Sequence, residues 1–359
     1  MQSRLRLGLR ALVLCSGLLS LASLCSAQGI MLDLPRQSQH AMIEQRIGIT
    51  DITINYHRPL ANGRQIWGKV VPYGQVWRAG ANENTTVTFT DPVIIEGQPL
   101  DKGTYGLHMI PGENQWTVIF SKASTAWGSF TYKQDEDALR VTVKPQPAEL
   151  HDALTYDFDD VKPDSAVVTM RWEKVAVPFK VQVKVDDIVE ASIPRQIRGL
   201  NQYYWEGWDE AANYFLTSKT HLDEALKDED QSIRLEARFD NFMTKSQILE
   251  AMGRKDEATV ARNQALDKAS ALQLYFYGRQ LQGQKKAEEA FALYRSNAKK
   301  YPDFWTSHVG LARVYSSEGN FDQAVKEMQA ALPDVPDDAN RSNLQNYIKR
   351  LQSKDDINR

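Results

Sequence analysis

Ala290 and Ala324 stand 34 residues apart, as do Tyr294 and Met328, and Pro302 and Pro336. A small, a large and a helix-stopping position recurring together at this period describes stacked helix pairs. One such pair cannot bury its own apolar face, so neighbouring pairs must stack into an elongated array. The small position extends backwards through Ala258 and Ala225 at spacings of 32 and 33 residues. Gly253, Gly283 and Gly319 fall where paired helices turn, and a left-handed backbone is expected at each. About four pairs are predicted over 201–338, with a capping helix and tail over 339–359. Arrays of this kind bind other proteins far more often than they catalyse. Tyr277, Arg279, His308 and Arg313 are the candidate partner-binding residues on the concave face.

The first half obeys a different period. Ile52, Ile54 and Tyr56 alternate with Thr53, Asn55 and His57, and Trp116, Val118 and Phe120 alternate likewise. Turn pairs such as Asp91-Pro92, Glu96-Gly97 and Pro111-Gly112 separate about eight to ten such runs. An all-β antiparallel sandwich over 28–185 is expected, with Trp116, Trp172 and Phe158 as large core members. The segment 186–200, carrying Pro194 and Gly199, is read as a linker. The fold class is thus two modules, a β-sandwich and an all-α tetratricopeptide-like solenoid.

Residues 1–27 have the form of an export signal. Arg4, Arg6 and Arg10 precede an apolar run from Ala11 to Leu24, and Ser26-Ala27 offers a cleavage point before Gln28. A lipid anchor on Cys25 would require a small residue where Leu24 stands. A periplasmic or secreted protein, soluble after cleavage, is the expectation. Both cysteines, Cys15 and Cys25, lie in this leader, which leaves no thiol for catalysis, a disulfide or a metal. Without the leader's arginines, 40 basic residues face 46 acidic ones, and no basic stripe favours nucleic acid. No later stretch has the length of a membrane span.

Residues 56–84 do not alternate. They gather Arg58, Arg64 and Arg78 with Trp67, Trp77, Asn82 and Glu83 around several glycines. A connection this long inside a compact domain is often functional. Arginine forks beside aromatic faces suit a small anionic or sugar ligand. The ligand-binding candidates are Arg58, Arg64, Trp77, Arg78, Asn82 and Glu83. A structural role suits the same residues, with Trp67 and Trp77 as plugs and Arg58 or Arg78 paired with Glu83. Tyr56-His57-Arg58-Pro59, Gly63-Arg64, Trp77-Arg78, Gly80-Ala81-Asn82-Glu83, Gly103-Thr104-Tyr105 and Ile110-Pro111 together resemble an exported bacterial family, domain of unknown function 2911. The similarity runs from about Gln37 to Val185. It implies attention to Arg58, Gly63, Arg64, Trp77, Arg78, Asn82 and Glu83, and it implies no activity.

Other constellations are weak. His40, His57 and His108 lack the spacing that places two ligands on one face of one element, and His40 meets His57 only in one particular strand register. Asp157, Asp159 and Asp160 read as solvated acids at a strand end. Tyr203, Tyr204, Trp205, Trp208 and Tyr214 crowd the start of the solenoid, where the spacing favours packing. No metal, cofactor or catalytic motif is present. The leading expectation is a non-enzymatic envelope protein whose solenoid binds a protein or peptide. The alternative is a hydrolase of envelope glycans or peptides, with Glu83 as acid or base beside Arg58 or Arg78.

Overall fold

A computed structural model describes residues 34–358. The leader and its cleavage point at Ala27–Gln28 lie outside the described residues. The chain forms two compact units that meet between Val185 and Asp186.

The first unit is a pair of antiparallel sheets. One is ordered β1 (Gln39–Ile47), β2 (Thr50–Arg58), β3 (Thr86–Phe89), β6 (Gly103–Ile110), β7 (Trp116–Ser121) and β8 (Asp137–Val143). The other runs β5 (Gln98–Leu100), β4 (Val93–Ile95), β10 (Ser165–Gln182) and β9 (Gln146–Lys162). The alternation in β2 works as expected: Ile52, Ile54 and Tyr56 are buried while Thr53 and Asn55 are half-buried. Ile52 lies opposite Phe89 and Ile54 opposite Val87, so like faces meet across the ladder. The sheets join through side chains such as Phe120 of β7 and Phe179 of β10, whose rings lie 5.8 Å apart. Trp116 and Trp172 are buried core residues. Phe158 is only half-buried, because it nears the end of β9; Tyr156, one repeat of the pleat earlier, fills the core instead.

The second unit holds ten α-helices among the described residues. The segment read as a linker is mostly helix α1 (Val185–Ile197), and its Ile193 and Ile197 pack on Ala211, Ala212 and Phe215. Pro194 is accommodated inside α1, and Gly199 follows its end. Four pairs follow: α2 (Trp205–Ser218) with α3 (Leu222–Leu235), α4 (Phe239–Ala251) with α5 (Lys255–Lys268), α6 (Ala271–Gly283) with α7 (Ala287–Lys300), and α8 (Trp305–Ser317) with α9 (Phe321–Ala331). Helix α10 (Asp338–Gln352) covers the last pair, burying Leu344 and Leu351.

Ala225, Ala258, Ala290 and Ala324 are fully buried, as the period requires. Gly253 and Gly319 have the expected left-handed backbone, at φ 79° and 75°. Gly283 does not; it ends α6 in ordinary geometry, and Lys285 takes the left-handed position at φ 63°. Tyr294 of α7 is sandwiched between Gly278 of α6 and Gly310 of α8, where a methyl group at Gly278 would strike its ring. No helix among the described residues is long and apolar enough to cross a membrane.

Candidate ligand cleft and concave groove

The 56–84 segment is pinned to the sandwich at both ends. Trp77 exchanges two backbone hydrogen bonds of 2.8 Å with Met109 of β6, and Leu60 bridges to Ala153 of β9. Trp67 is buried at the centre of an indole cluster, 5.7 Å from Trp77, 4.8 Å from Trp116 and 5.7 Å from Trp172. Trp77 stacks on Trp172 at 5.8 Å. Ala79 is held left-handed at φ 51° because its carbonyl accepts hydrogen bonds from Thr85 Oγ1 and Tyr156 Oη. These contacts fix the loop without any ligand.

Its arginines make no carboxylate pair among themselves and Glu83. Arg58 donates to the carbonyl of Leu154 at 3.0 Å, and Arg64 to those of Ala61 and Leu60 at 3.0 and 2.5 Å. Arg78 donates to the carbonyl of Asn82 at 2.9 Å and lies 5.9 Å from the Phe130 ring centre. Burial lowers the pKa of Arg78, with the charge of Glu83 acting in the opposite direction. Asn82 donates to the carbonyl of Ser38. Glu83 instead meets Arg36 at 2.5 Å and His57 Nε2 at 3.4 Å. The expected Arg58 or Arg78 pair with Glu83 is therefore replaced by one with a residue upstream of β1.

A cleft of about 500 Å³ opens beside this loop. Arg64, Trp77, Arg78 and Trp172 line it, joined by Asn62 and Ser38, and no lining residue is acidic. Arg58, Asn82 and Glu83 are not among its walls. Burial acts to raise the Glu83 pKa, but the Arg36 hydrogen bond, a backbone N–H, His57 and the Arg36 charge together hold it below its ordinary value. A carboxylate so held, outside the cleft, is poorly placed as a general acid. The cleft can receive an anion between two guanidinium groups and an indole wall, which is recognition chemistry.

The expected solvated acids at the β9 end are in part salt-bridged: Arg171 spans Asp157 and Asp159 at 3.2 and 2.6 Å, and Lys162 meets Asp160 at 2.8 Å. His108 is buried and bonded to Ser129 at 2.9 Å. Among the described residues no group of three or more His, Cys, Asp or Glu side chains is gathered to hold a metal.

A second concavity, about 520 Å³, runs across α2, α4 and α6. Its walls include Asp209, Asn213, Asp240, Thr244, Phe276 and Tyr277, and Phe276 is more than half exposed. Behind it, Glu229 of α3 is fully buried against Asp209. Burial first, and the charge of Asp209 second, push the Glu229 pKa up to about 10, which favours a protonated Glu229 beside Asp209.

Of the four concave-face candidates, only Tyr277 lines this groove. Arg279 is exposed elsewhere, and His308 pairs with Glu327 at 2.8 Å. Arg313 is the clear correction. It is 2% exposed, and its guanidinium donates to Tyr275, Tyr347 and the Ile357 carbonyl. Its helix turns that face toward α6 and α10 rather than toward solvent. The residues missed by sequence had a signal: Asp209, Asp240 and Gln273 recur at spacings of 31 and 33, and Asn213 and Thr244 recur toward the predicted Tyr277 at the same spacings. Projecting the buried-alanine period onto the first helix of each pair would have found them.

Comparison with known proteins agrees with this division. Residues 38–181 match the model of a family described as Protein of unknown function (DUF2911), and residues 281–346 match that of the tetratricopeptide repeat. The chain carries a DUF2911 region followed by tetratricopeptide-type repeats. Solved structures similar to it include Cut9–Hcn1, described as an APC/C hetero-tetramer, at 16% identity and TM-score 0.30, over 45% of this chain and 32% of that one. MamA is similar at 15% identity and TM-score 0.27, over 40% of this chain and 84% of that one. YrrB, described as a TPR protein with an unusual peptide-binding site, is similar at 17% identity and TM-score 0.26, over 45% and 86%. The chain thus spans about a third of the length of the Cut9–Hcn1 chain. No curated protein matches its sequence.

Proposed function

We propose that this protein is a non-enzymatic binding protein of the bacterial envelope, exported by residues 1–27, whose solenoid holds an extended segment of a protein partner. The observation that carries this reading is the groove across α2, α4 and α6, where exposed Phe276 and half-buried Tyr277 stand among amides and the carboxylates of Asp209 and Asp240. Aromatic anchors flanked by hydrogen-bonding groups suit a peptide backbone, and the acids favour one carrying basic residues. The DUF2911 cleft supplies a separate site for a small anion, between Arg64 and Arg78.

Affinity capture from envelope extract tests the first part. The mature protein is compared with Phe276→Ala/Tyr277→Ala and with Arg64→Ala/Arg78→Ala. A partner lost only with the aromatic pair supports groove binding; a partner indifferent to it refutes that assignment. For the cleft, inorganic phosphate, a small dicarboxylate and a uronic acid are titrated against wild type and the arginine variant. A sugar acid converted to product during titration would favour the hydrolase reading.

A further inference from the structure

The solenoid contains a third concavity that the proposed function does not use. It lies between α1, α2 and α3, with a volume of about 600 Å³. Its floor is apolar, built from Ile193, Ile197, Trp208 and Phe215. Asp228 also lines it, and its chemistry is unusual. The residue is 7% exposed, yet among the described residues no hydrogen bond or ion pair reaches its carboxyl group. Two neighbouring cations are already engaged, His221 with Glu190 at 2.9 Å and Lys227 with Glu224 at 2.9 Å, while Arg198 lines the pocket as well. A buried carboxyl without a donor is costly unless the site supplies a cation.

We propose that this pocket binds an alkylammonium group, with its apolar chain against Trp208 and Phe215 and its positive head on Asp228. Glu190 and Glu224 line the same pocket and add negative field, against which stand Arg198 and the imidazole of His221. A cation beside an indole gains further from the ring face. A free amine and a lysine side chain share this chemistry.

The proposal has a pH signature. Burial first, then the charge of Glu224, raise the Asp228 pKa to about 6, with Lys227 pulling the other way. The carboxyl is therefore neutral in mild acid and charged at mild alkalinity, and ammonium binding strengthens as pH rises through that value.

The test uses mature full-length protein and n-hexylammonium, with hexan-1-ol and hexanoate as matched neutral and anionic probes. Hexylammonium is expected to bind about tenfold more tightly than hexanol at about pH 8, with the advantage lost at about pH 5. Asp228→Asn should abolish that preference while leaving hexanol binding intact; a variant that fails to fold leaves the wild-type pH series as the deciding measurement. A short peptide with one internal lysine, run beside the free amine, identifies the source of the head group. Equal binding of hexanol and hexylammonium at both pH values, tighter binding of hexanoate, or no ammonium binding would overturn the proposal.

Discussion

His40 stands directly opposite His57 across the β1–β2 ladder, with their ring centres 5.4 Å apart. The one register that brings these imidazoles together is the register adopted. His57 also faces Glu83 at 3.4 Å, yet its pKa is lowered, by burial first, then against Glu83 by the charges of His40 and Arg36. His57 therefore resists protonation.

Acid should loosen the sandwich through a third histidine. Burial lowers the His108 pKa to about 4, with Asp137 opposing. Burial favours the neutral ring, so its stabilisation is fully present above the ordinary histidine pKa and is lost as pH falls from there to about 4. The loss is about 1.4 kcal/mol per pH unit across the window. Urea unfolding with hydrogen exchange read on β6 and β7 should show this slope, and His108→Gln should flatten it.

Glu229 predicts the opposite trend in the solenoid. Its raised pKa means that the folded chain keeps a proton which the unfolded chain releases. That stabilisation is complete below the ordinary glutamate pKa and declines as pH rises toward about 10. Glu229→Gln should stabilise the protein at neutral pH by about 1–3 kcal/mol, because an amide donates to Asp209 without a proton to lose. The gain should vanish near the glutamate pKa, and thermal unfolding across pH would reveal it; a gain that persists there would refute the protonated Glu229.

Gly278→Ala tests the contact with Tyr294. The new methyl group has no room beside the ring, and α6 and α7 must move apart, at a cost of about 1–3 kcal/mol. Gly253→Ala provides a contrast, since open space surrounds that position and only its left-handed backbone resists the change. Equal urea midpoints for Gly278→Ala and wild type would contradict the packing.

Arg313→Leu should destabilise the last pair by about 1–3 kcal/mol, since Tyr275, Tyr347 and the Ile357 carbonyl lose their donor. Partner capture through the α2–α4–α6 groove should survive wherever the variant stays folded. Hydrogen exchange in α8 and α10 is the direct measurement.

The two periods made both modules legible in the sequence, because burial imposes alternation on a strand and a fixed recurrence on a stacked helix pair. Segment 186–200 was misread because Pro194 and Gly199 looked like breakers; Ile193 and Ile197 nevertheless bury one face of α1. Arg313 misled for a related reason: a charged type suggested a surface, whereas its partners come from α6, α10 and Ile357, 38, 34 and 44 residues away. Glu83 was matched to arginines close in sequence, while the backbone brought Arg36, 47 residues away, to it. Long-range pairings of this kind have no local pattern to betray them.

The stacked indoles of Trp77 and Trp172 are two walls of the cleft beside the 56–84 loop, and Trp67 touches both. Aromatic chromophores at such separations share their excitation, and their near-ultraviolet dichroism depends on mutual angle. The cleft thus carries its own optical gauge: an incoming ligand that tilts either ring would register without a label, and Trp172→Phe would remove the Trp77–Trp172 contribution while leaving Arg64 and Arg78 in place.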